Sequence, residues 1–210
     1  KGNGSASTYN VAIGYNAGCC TTSGDANIYL GSNAGNQGTT AKCNVYGGRK
    51  AGTCMQTGHY NVAFGYQALR GSTTPGDNIG SYNLALGVDA GVLLSSGCYN
   101  VFLGKDAGNT NTTGCYNVAI GHDALGDSAG TTGVRNFAVG YSAGEKVTSG
   151  NDNIMLGTFA GGKITDATHN FFAGSYAGNN VQSSGGHVAI GQEALKGSTT
   201  PADNTGTNNV

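Results

Sequence analysis

The 210-residue chain has no tryptophan, only 2 prolines, and charged side chains at just 10% of its residues. Globular domains normally carry about a quarter of their residues as charge, so a broad core under an ordinary solvated surface does not fit this composition. A formal net charge of −1 provides no basic footprint for nucleic acid and no attraction to an anionic bilayer. No apolar run approaches the roughly eighteen residues of a membrane span, so no membrane insertion is expected. None of the six cysteines stands in a CxxC pair, which removes the usual zinc framework. His59, His122, His169 and His187 recur without any fixed Ser or Asp partner, and no spacing argues for a paired-carboxylate hydrolase. No enzymatic activity and no organic cofactor are expected.

Glycine is abundant, at 39 residues, and without collagen's three-residue period such content can mean disorder. A repeat argues otherwise. The phrase Asn-Val-Ala-Ile-Gly-x-x-Ala-Gly begins at Asn10 and returns at Asn27, Asn44, Asn61, Asn83, Asn100, Asn117, Asn136, Asn153 and Asn170, with His187 replacing the Asn and Asn209 opening a truncated copy. Most steps are 17 residues; three are longer, at 19 or 22. A fixed period this short is the mark of a solenoid. The fold class expected is all-β, a parallel β-solenoid or β-roll of stacked 17-residue coils with longer 19- and 22-residue coils, forming one repetitive segment over 1–210. With no initiating Met and an end inside a repeat, the segment reads as a window from a longer fibrous chain.

Taken as columns, the residue four places after each Asn is always Gly, from Gly14 to Gly191, and seven places after is always Ala, from Ala17 to Ala194. The next column is Gly except at Leu69, Leu125 and Leu195, and these three open the three long coils. Within the phrase, Val11 and Ile13 alternate with Ala12, the period of a strand. The first Gly column suits a corner with unusual backbone angles or close approach. A second, including Gly24, Gly58 and Gly114, makes the other corner. The invariant Asn is expected to form a structural ladder, its amides satisfied by copies above and below.

The alternation predicts that the Val, Ile and Leu columns form the intrachain core, where Gly47 would thin one layer. The middle column, mostly Ala but also Tyr29, Tyr46, Phe102, Met155 and Phe172, is then expected on the opposite face. Such a narrow coil buries little area. Either that face or the Tyr-rich column before the Asn (Tyr9, Tyr60, Tyr82, Tyr99, Tyr116) is therefore expected to pack on other copies of the chain. The inserts at Leu69–Pro75 and Leu195–Pro201 are near twins and read as surface loops, serving either for binding or as inert bulges.

Asp89, Asp106 and Asp123 share a column in three consecutive coils. Stacked carboxylates repel, so they are candidates for a calcium-like cation with oxygen ligands; a solvated acidic stripe is the alternative. Lys105 and His122 should lie on the opposite face if the segment is extended. Cys98 and Cys115 share a column in adjacent coils, close enough for a possible disulfide; small buried thiols are the alternative. Asn3-Gly4-Ser5 and Asn111-Thr112-Thr113 match the glycosylation sequon, a common pattern.

The repeat phrase, best seen in residues 111–125, resembles the β-solenoid repeats of bacteriophage tail fibres. It is also similar to the head repeats of trimeric autotransporter adhesins. The resemblance covers essentially the whole chain. It implies a homotrimer of parallel chains on the virion surface, a shaft displaying or extending a tip that binds a host cell-surface glycan or protein through regions outside this window. A bacterial surface adhesin head is the alternative, which would place the chain extracellularly on a cell. An ice-binding or other self-assembling solenoid using Thr/Ser ladders is a further one, against which that column is irregular: Gln56, Asn78, Ser95, Thr112, Thr131, Thr148, Thr165 and Gln182.

Overall fold

The computed structural model describes residues 8–73, 78–127 and 130–197. The truncated copy at Asn209, the Asn3 sequon and the Thr-Pro portions of both long inserts lie outside them. Eleven three-residue strands follow one another: β1 (Val11–Ile13), β2 (Ile28–Leu30), β3 (Val45–Gly47), β4 (Val62–Phe64), β5 (Leu84–Leu86), β6 (Val101–Leu103), β7 (Val118–Ile120), β8 (Phe137–Val139), β9 (Ile154–Leu156), β10 (Phe171–Ala173) and β11 (Val188–Ile190). They form one parallel sheet in sequence order, with like columns paired: Val11 on Ile28, Val62 on Leu84, Val118 on Phe137. The described chain is an all-β parallel solenoid of about ten turns. Ten steps at about 4.8 Å give a rod about 48 Å long.

Glycine is needed at the first corner for a specific reason. Gly31 has φ 129°, and a Cβ there would lie 2.7 Å from the carbonyl oxygen of Gly48 in the next coil. Backbone stacks directly on backbone, so no side chain fits.

The faces of the sheet are the reverse of those the alternation predicts. The middle column points inward: Tyr29, Tyr46, Ala63, Ala85, Phe102, Met155 and Phe172 are essentially fully buried. The Val, Ile and Leu columns face outward; Ile13 is 64% exposed, and Ile28, Leu30, Phe64 and Leu86 are also exposed. The physical reason is width. The rest of each coil returns close over the middle residue, so the interior admits one central side chain per turn. It is completed by the Ala column and by Met55, Leu94, Val147, Ile164 and Val181. Gly47 consequently thins no core layer; it leaves a notch on the outer face filled by the Phe64 ring, 2.3 Å from where a Gly47 Cβ would stand.

Core volume is balanced within and between coils. Gly35, Gly52, Gly108 and Gly178 sit against the rings of Tyr29, Tyr46, Phe102 and Phe172. Where the middle residue shrinks to Ala63 or Ala119, the Gly becomes Leu69 or Leu125, and both leucines are fully buried. Leu69 and Leu125, which open longer coils, are therefore also plugs that fill the space an alanine leaves, worth about 1.5–3 kcal/mol of burial each; Leu195 is 36% exposed.

Candidate functional site

The Asn column is a continuous hydrogen-bonded ladder. Asn100 Nδ2 donates to Asn83 Oδ1 at 3.0 Å and to the Gly114 carbonyl at 2.8 Å, while its own Oδ1 accepts the Asn117 backbone N–H at 2.9 Å. The same pattern joins Asn10 to Asn27, Asn27 to Asn44, and Asn136 to Asn153 and Asn170. From Asn27 to Asn170 these side chains are buried, so each bond is worth more than its surface equivalent and each loss orphans a partner. At the far end the His187 N–H donates to Asn170 Oδ1, and the His187 ring reaches Ser184 Oγ at 2.9 Å.

Asp89, Asp106 and Asp123 stand in one column, each with φ of 57°. The left-handed turn changes the expectation for their neighbours. Lys105 and His122 are on the same side as the carboxylates, not the opposite one: Lys105 Nζ pairs with Asp106, and His122 Nδ1 lies 2.7 Å from Asp123 Oδ2. Asp106, His122 and Asp123 bring candidate ligand atoms within 4.8 Å of one another; Asp89 stands outside that group. Partial burial and the neighbouring Asp106 push the Asp89 carboxyl above its ordinary range. Asp106 and Asp123 also border a cleft of about 360 Å³ with Asp127 and Glu145. Lys146 pairs with Asp127. The stripe is thus interleaved with its own cations, and a metal here would have to displace Lys105.

Cys98 and Cys115 are free thiols. The Cys98 N–H donates to Cys115 Sγ at 3.1 Å. The same role falls to Cys98 Sγ for Ser81, to Ser81 Oγ for His59, and to His59 Nδ1 for Lys42. These side chains act as interchangeable acceptors for the backbone of the preceding coil. Column identity alone pointed to proximity and said nothing of this shared task.

The Thr and Ser column considered for ice binding is turned to internal use. Ser95, Thr148 and Thr165 hydroxyls donate to the carbonyls of Thr112, Thr165 and Gln182 one coil on.

The outer sheet face is an exposed apolar surface. Its two columns, Val11 to Val188 and Ile13 to Ile190, contain only apolar side chains apart from Gly47. Along one edge Tyr60, Tyr82, Tyr99 and Tyr116 stack with centroids 4.9, 4.8 and 5.0 Å apart. Their ring faces cover one another, and the four side chains are exposed. The chain matches no family model, no curated protein and no solved structure.

Proposed function

We propose that this segment is the shaft of a fibrous homotrimer, built of 17-residue coils with longer 19- and 22-residue coils. Three parallel chains pack their outer sheet faces about a common axis. The observation that carries this reading is the unbroken apolar outer face. Twenty-one of its twenty-two side-chain positions are apolar and the other is Gly47, so water contact along the rod is unfavourable until another such face covers it. A shaft also fits the internal economy of the coils: the polar columns are used between coils, as in the Asn ladder and the Thr bonds. In this role the segment holds a host-recognising tip away from a phage particle, as in a tail fibre on the virion surface. The cell-surface adhesin head remains the second setting for the same architecture.

Chemical crosslinking of the purified chain tests the shaft reading. Products of three chains are expected, and products of one chain alone would refute it.

A further inference from the structure

We propose that Cys19 and Cys20 form a chelating dithiol for a soft, thiophilic ion of the kind trivalent arsenic represents. Both thiols are exposed, and their sulfurs lie 3.4 Å apart. Adjacent side chains in an extended strand point to opposite faces, so the convergence depends on the turn that carries them. That turn is fixed on both sides: Gly18 N–H donates to the Ala34 carbonyl at 2.9 Å, and Cys20 N–H to the Asn36 carbonyl at 3.1 Å. Asn36 Oδ1 faces both sulfurs, 3.5 Å from Cys19 Sγ and 3.9 Å from Cys20 Sγ. In the following coil the equivalent positions are Asn36 and Gln37, and in the next Thr53 and Cys54; the paired sulfurs are peculiar to this turn.

The bite suits the chemistry. A tetrahedral soft metal holding thiolates at about 2.3 Å sets its sulfurs about 3.8 Å apart, and the narrower angle at a pyramidal trivalent arsenic brings them closer. Soft thiolate donors select such ions over hard ones. Burial, and the hydrogen bond to Cys20, push the Cys19 thiol above its ordinary range. With an organoarsenic oxide the balance is simple. Two S–H bonds and the arsenic–oxygen bonds break, two As–S bonds form, and the oxygen leaves with both protons as water; no oxidant or reductant is required. The turn lies beyond the Gly14 corner that ends β1.

The test uses the whole reduced chain with one equivalent of phenylarsine oxide, followed by iodoacetamide and peptide mass spectrometry. Alkylation of Cys19 and Cys20 should slow at least about tenfold, while exposed Cys43 reacts as before. Cys19→Ser and Cys20→Ser should each weaken arsenical binding at least about tenfold, because the second bond is no longer intramolecular. Both substitutions are at the surface, and unchanged circular dichroism would certify the fold. Capture by Cys98 and Cys115 with unprotected Cys19 and Cys20 would overturn the proposal, as would undiminished binding in Cys19→Ser.

Discussion

Replacing Gly108 with alanine tests the rule of volume exchange inside the coils. Gly108 has φ of 59°, and a Cβ there would lie 2.4 Å from Cδ1 and Cε1 of the Phe102 ring. Carbon atoms prefer about 3.5–4.0 Å, so the ring must retreat by more than about 1 Å from a site where it is fully buried. Overpacking of this kind costs about 1–3 kcal/mol, and a left-handed alanine adds about 1–2 kcal/mol. Gly108→Ala should therefore destabilise by about 2–5 kcal/mol. Phe102→Ala alone should cost about 3–5 kcal/mol through its cavity. In that background Gly108→Ala meets no ring, and only the backbone strain of about 1–2 kcal/mol remains. The two substitutions should thus couple by about 1–3 kcal/mol. The chain already contains this combination in Ala63 with Leu69, where Leu69 has φ of 46°. Urea titration of the four variants gives the cycle. Because solenoids need not unfold in one step, hydrogen exchange at the amides of β6 should accompany it. Additivity within about 0.5 kcal/mol would refute the reasoning.

Three further outcomes follow from the same geometry. Asn100→Ala removes two donated bonds and one accepted bond; at about 1 kcal/mol each it should cost about 3 kcal/mol, read as lost exchange protection at Asn117 and in β6. Burial pushes the Tyr46 phenol well above the ordinary tyrosine range. Folded protein then keeps that proton above pH about 10 while unfolded chain releases it, so stability is whole below that pH and falls as pH rises beyond it. Tyr46→Phe should gain on wild type between pH 9 and pH 11 in melting experiments, and a constant difference would contradict the assignment. Leu86→Lys with Leu103→Lys places charge on the outer face, and should yield dissociated chains with unchanged far-ultraviolet circular dichroism.

Much of the fold was legible because each column performs one task in every coil. The Gly corner, the Asn ladder and the strand register all follow from backbone stacking on backbone, which leaves a periodic trace. The inward and outward faces were not legible. Val and Ile at Val11 and Ile13 are stronger apolar signals than Ala12, and strand alternation reports only that two faces differ. Which face a narrow coil encloses depends on how far its return segment stands off. The clue lay in the complementary exchange of Ala63 with Leu69 and of Phe102 with Gly108, which makes sense only if those columns share one interior.

At the candidate sites, the Asp column was visible from spacing, but its pairing with Lys105 and His122 was not. That pairing depends on the left-handed Asp106 and Asp123, a conformation that spacing does not encode. The convergence of Cys19 and Cys20 also belongs to a turn, the one that follows Gly18 at φ of 58°. Adjacent side chains diverge in a strand and meet only in a turn of this shape.

Sedimentation equilibrium of the intact chain tests the outer-face assignment most directly. Three times the 20.9 kDa chain mass, maintained on dilution through the micromolar range, is the predicted result. A folded, stable species of single-chain mass with its apolar face open to water would contradict it.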